Sequence, residues 1–149
     1  HFIVLKRVEC YLCTMVYLTR RETFNAAHRL YNNKWSEEKN FEVFGKCANK
    51  NWHGHNYQLF VTVKGNPDPD TGFIMDAKKL SDLIKKEIVE LFDHKNLNTD
   101  TPYFKDVQPS TENFCKVIWK LIEPLITGGV LHCIKLQETE NISAEYYGE

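Results

Sequence analysis

No apolar run in this chain approaches the roughly 18 residues that a transmembrane helix needs, so a membrane span is not expected. A surplus of one charge is missing too: 19 Lys and Arg against 20 Asp and Glu leave a formal charge of −1. General binding to nucleic acid or to a membrane surface draws on a basic excess, so neither partner is expected. An anionic substrate would have to be met by local positive groups. The five cysteines are an odd number without repeated spacing, which argues against a disulfide framework. Reduced thiols suit the cytoplasm. The lone Cys10-Tyr11-Leu12-Cys13 has no second pair to complete a metal site and reads as a chance occurrence. Lys6, Arg7 and Glu9 interrupt the N-terminal stretch, which lacks the clean apolar region and small-residue cleavage site of a signal peptide. Repeats, linkers and low-complexity segments are also missing.

What remains is an ordinary composition, 42% hydrophobic and 26% charged over 149 residues, which suits one globular domain. Residues 1–14 read as a leader and residues 15–149 as a single domain. Tyr17–His28 alternates as a strand, with Leu18, Phe24, Ala26 and His28 sharing one parity. Residues 31–52 are polar and irregular, and long loops of this kind are usually functional. His53–Lys64 alternates again, placing Tyr57, Leu59, Val61 and Val63 on the histidine face. After a Pro- and Asp-rich turn, Asp76 caps a helix to about Phe92, with Leu80, Leu83, Ile84, Ile88 and Leu91 on one face. A second loop covers Asp93–Pro109. Ser110 or Thr111 then caps another amphipathic helix, and Val130–Glu138 and Ile142–Tyr147 form a last strand pair. The order β-β-α-α-β-β predicts an α+β domain: a four-stranded antiparallel sheet with two helices packed on one face. Its exposed edges call for oligomerisation.

The chemistry concentrates in Glu42–Asn56. His53 and His55 stand at i and i+2 as a strand begins, so both rings reach one point. His28 supplies a third imidazole at another strand end. Three neutral imidazoles with an open fourth position describe a catalytic zinc site. Cys47 lies in a polar segment with little core to fill, as a candidate acid or base. Asp93 before His94 suggests a relay in which the carboxylate charges the imidazole, and a charged His94 near Cys47 would favour the thiolate. Glu138 shares parity with Ile134 and Leu136, so its carboxylate is a candidate for a pocket, where it could accept two N–H bonds from a guanidine-like edge. His132 alternates with Val130, Ile134 and Leu136 and reads as a core histidine. Cys115 and Cys133 read as small core residues.

Taken together, these residues resemble the 6-pyruvoyl-tetrahydropterin synthase family. The likeness runs from about Thr19 to Glu149. It rests on FNAAHRL, VFGKCANKNWHGHNY, the DPDTG turn, FDHKNLN, PYF, STEN followed by VIW, and QETENI, in that order. The resemblance implies the tunnelling fold, with trimeric β-barrels stacked as a homohexamer (a dimer of trimers) and active sites between subunits. It implies Zn2+ on His28, His53 and His55, Cys47 as catalytic base, and Asp93 with His94 as its relay. Glu138 would anchor the pterin ring, with Thr111 and Glu112 lining the same pocket. The implied activity is a lyase of tetrahydrobiopterin synthesis. It eliminates triphosphate from 7,8-dihydroneopterin triphosphate and isomerises the side chain without an external redox cofactor. Two alternatives stand beside it: a 6-carboxytetrahydropterin synthase-like enzyme, whose typical C-x3-H-G-H gap is shorter than the spacing here, and a non-catalytic zinc- or pterin-binding module. Trp52, where a small residue is common before H-G-H, and Ser110, where many relatives carry Thr, depart from the family pattern.

Overall fold

A computed structural model describes residues 15–149; the expected leader, with Cys10 and Cys13, lies outside the described residues. In chain order the elements are β1 (Val16–His28), α1 (Glu37–Phe44), β2 (His53–Gly65), α2 (Ala77–Ile84), α3 (Glu90–Phe92), β3 (Lys95–Asn96), α4 (Thr111–Ile122), β4 (Val130–Thr139) and β5 (Ile142–Tyr146). One five-stranded sheet runs β3-β1-β2-β4-β5. All neighbours are antiparallel except β3, which lies parallel to β1 through two residues. The expected α+β class and its four antiparallel strands are therefore present, with β3 as a short addition at one edge.

Alternation decides which face is buried. Phe24, Ala26 and His28 on β1, Tyr57, Leu59, Val61 and Val63 on β2, and Ile134 and Leu136 on β4 are buried toward the helices. They meet Leu80, Ile84, Ile88 and Phe92 from the α2–α3 segment and Phe114, Ile118 and Ile122 from α4. Asp76 caps α2 by accepting from Lys78 N at 2.8 Å and Lys79 N at 3.4 Å. Between α2 and α3 the backbone passes through a π turn, Lys85–Val89, so the two form one continuous rod.

Two departures from the sequence expectation have physical causes. The 31–52 segment is not wholly irregular: Ser36 accepts from Lys39 N and caps α1, and a 3-10 turn at Gly45–Ala48 follows. The buried Asn40 side chain organises this loop, donating to the carbonyls of Asn32, Trp35 and Ser36 and accepting from Asn32 N. His132 is not a core residue. Val63 pairs Leu131 while Thr62 pairs Cys133, so His132 is the extra residue of a bulge, and parity switches there. Its ring packs instead against Tyr17 and Tyr147, at centroid separations of 4.7 and 5.4 Å.

Candidate active site

The β1–β2 ladder brings the histidines together. His28 stands opposite His53, and Ala26 opposite His55, so all three rings share the buried face at one end of the sheet. Their centroids are 4.5, 5.1 and 5.0 Å apart, and one ring nitrogen from each lies within 4.8 Å of the other two. His28 Nε2, His53 Nδ1 and His55 Nε2 are buried without a hydrogen-bond partner. Buried polar atoms are nearly always paired, and three orphaned nitrogens facing one another fit a bound cation. His28 Nδ1 lies 2.7 Å from the Pro109 carbonyl. A carbonyl only accepts, so the proton sits on Nδ1 and the Nε2 lone pair faces the cluster, as in metal-ligating histidines. Burial, foremost, holds all three imidazoles below their usual pKa and so in the neutral form that ligates. Such a donor set suits zinc among other divalent transition metals.

Glu138 adjoins this cluster, and Cys47 lies within reach of the charge of Glu138. Gln137 pairs Ser143 and Thr139 pairs Ile142, so Glu138 is the extra residue of a second bulge, the device that re-aims side chains beside active sites. Its Oε1 lies 3.3 Å from His28 Nε2 and 3.5 Å from His55 Nε2. It also accepts from the buried Tyr57 hydroxyl at 3.4 Å, a partner that sequence reading placed on this face without assigning it a role. Cys47 sits half-exposed in the 3-10 turn. That turn is tied to the end of β1 by Leu30 N–H donating to the Cys47 carbonyl at 2.9 Å. Burial, then the charge of Glu138, pushes the Cys47 thiol up, opposite to the expected activation by His94.

Asp93 and His94 form a fixed pair just past α3. His94 Nδ1 lies 2.7 Å from Asp93 Oδ2. Asn25, which the sequence did not single out, clamps both: its N–H donates to Asp93 Oδ1 at 2.8 Å, and its carbonyl accepts from His94 N at 2.7 Å. The Asn25 amide, then His94, holds the Asp93 carboxyl below its usual value. His94 adopts φ 58°, a left-handed conformation that a non-glycine residue adopts only under local constraint. The His94 side chain is 77% exposed, and no hydrogen bond among the described residues joins it to Cys47. The two residues expected to form a relay are thus assembled as a pair, without a hydrogen bond to the thiol. Thr111 is buried at the first turn of α4, beside the Pro109 carbonyl that orients His28. Glu112 is exposed on the same turn. No hydrogen bond among the described residues ties either side chain to Glu138.

The profile of the family described as 6-pyruvoyl tetrahydropterin synthase matches residues 17–149. The chain is 46% identical to the 6-pyruvoyl tetrahydrobiopterin synthase of Pongo abelii, covering 89% of this chain and 91% of that one. The 6-carboxy-5,6,7,8-tetrahydropterin synthase of Rickettsia felis is 27% identical, over 88% of this chain and 99% of its own length. The solved 6-pyruvoyl tetrahydropterin synthase of Caenorhabditis elegans superposes with a TM-score of 0.86 at 33% identity, covering 93% of this chain and 99% of that one. Fold, motif order and overall likeness agree: the chain belongs to the 6-pyruvoyl tetrahydropterin synthase family.

Proposed function

We propose that this protein is a zinc-dependent lyase. It converts 7,8-dihydroneopterin triphosphate to 6-pyruvoyl-tetrahydropterin with loss of triphosphate, in the cytoplasmic synthesis of tetrahydrobiopterin. The observation that carries the reading is three orphaned histidine nitrogens facing a carboxylate at one end of the sheet, with a thiol within reach of that carboxylate's charge. His28, His53 and His55 would hold Zn2+, which when bound supplies Lewis-acid stabilisation of negative charge developing on the substrate side chain. Glu138 receives the amino and ring N–H groups of the pterin as a planar two-bond pair, with Thr111 and Glu112 at the start of α4 beside it. Engaging Glu138 in this way offsets the negative charge that raises the Cys47 thiol. Cys47, once a thiolate, takes the carbon-bound proton of the side chain. Asp93 holds His94, which returns protons during tautomerisation. Because His94 faces solvent in one chain, the pair serves a neighbouring copy in a homohexamer.

The test is release of tripolyphosphate from the dihydroneopterin substrate by metal-loaded protein. Activity is expected to vanish with chelator and to return with Zn2+. Cys47→Ala is expected to lower kcat by at least about 100-fold, the lower range for a lost proton-transfer group, while pterin binding persists. Zinc-loaded protein that leaves this substrate untouched removes the reading.

A further inference from the structure

The position of Glu138 relative to the histidines carries a consequence beyond pterin anchoring. The Pro109 carbonyl fixes the His28 proton on Nδ1, so His28 Nε2 presents a lone pair. The atom it faces at 3.3 Å is a carboxylate oxygen, Glu138 Oε1. Two acceptors at that distance repel unless a cation lies between them. The same oxygen lies 3.5 Å from His55 Nε2, which likewise has no hydrogen-bond partner. Two donors bound to one tetrahedral ion at bonds of about 2.1 Å lie about 3.4 Å apart. Both separations match that edge. Tyr57, buried and donating to the same oxygen, steadies the carboxylate from behind, as partners of metal-bound carboxylates do.

We infer that Glu138 is a fourth, exchangeable ligand: its Oε1 closes the His28–His53–His55 metal site at rest and leaves it when a pterin takes the carboxylate. The bulge at Glu138 gives the side chain a backbone position distinct from the regular ladder, from which it serves both partners. No bond is made or broken beyond coordination. The release step rests on the pterin reading above; ligation of the resting metal does not.

The experiment uses metal-stripped full-length protein titrated with Zn2+ against a chromophoric chelator, then loaded with Co2+ and exposed to azide. Glu138→Ala and Glu138→Gln are expected to bind Zn2+ at least about ten-fold more weakly, the lower end for lost ligand support. Azide is expected to change the visible Co2+ spectrum of both variants but not of the wild type. Saturating 2-amino-4-oxopteridine without a side chain is expected to render the wild type responsive to azide. A wild type that responds to azide alone as the variants do, or Zn2+ affinities within two-fold, overturns Glu138 ligation. A proton, rather than a metal, bridging His28 and Glu138 gives that second result. A pterin that leaves the wild type unresponsive overturns the exchange. Failure of the wild type to take up either metal removes the zinc-dependent reading as well, whereas intact uptake with an open fourth position removes only this inference.

Discussion

Burial and the charge of Glu138 oppose the ionisation of Cys47, and its chemistry depends on what relieves them. In metal-stripped protein Glu138→Gln is therefore expected to move the pH midpoint of Cys47 alkylation downward. Peptide mass mapping keeps this thiol apart from Cys10 and Cys13 and from Cys115 and Cys133, which are buried. The histidines carry a second pH dependence. Burial lowers their pKa in the folded chain, so as pH falls below the ordinary imidazole value of about 6.5 the unfolded chain takes up protons first. Stability present above that value is lost on the way down. Thermal unfolding of metal-stripped protein at pH 7.5 and 5.5 is expected to show a fall in Tm that is smaller in His53→Asn. Much of this site was legible at the level of single residues, because His-x-His spacing in a strand fixes a shared face. The Pro109 carbonyl and the Asn25 clamp were not, since backbone groups leave no mark in a sequence.

At the level of elements, the core row Leu80, Ile84, Ile88 and Phe92 recurs every four residues. An α-helix of 3.6 residues per turn would carry such a row steadily away from the sheet. The π turn at Lys85–Val89 unwinds the rod and keeps the row facing inward. The sequence periodicity marks the helix and most of its buried face but gives Leu83 and Leu91 equal weight. Both are only partly buried. The same rod is pinned by a polar contact: buried Ser81 donates to Glu22 Oε1 on β1 at 2.6 Å, and Arg20 donates to that oxygen at 2.8 Å. Burial pushes the Glu22 carboxyl up, but these hydrogen bonds together outweigh it and leave it below its ordinary value. Its contribution is therefore present at neutral pH and lost as pH falls through the acid range. Ser81→Ala is expected to cost about 1–2 kcal/mol, read as a shift in the urea midpoint with the slope unchanged. Helix α1 leaves no such signal in the sequence, for a related reason. Its Phe41 and Val43 are 64% and 48% exposed, and Asn40 is its one buried residue, so no apolar stripe announces it.

For the whole molecule, the separation of Cys47 from the Asp93–His94 pair is the decisive arrangement. If the site is completed between copies, co-expressing Cys47→Ala with His94→Ala is expected to recover activity that neither variant has alone. Random mixing around a closed ring supplies an intact Cys47 beside an intact His94 in roughly a quarter of sites. No recovery in mixed oligomers, verified by differential tags, would mean that relay and thiol meet within one chain. The β1–β2 ladder has a further consequence for how the protein reaches its working form. His28 and His53 are the last pair of thirteen that begin at Val16 and Gly65, joined by the long segment that carries Cys47. A slip of one residue anywhere along that ladder would turn one strand's face outward and scatter the three imidazoles. A metal held by the three imidazoles would thus proofread strand alignment: only a chain zipped in its correct register would bind it, and binding would reward that register alone.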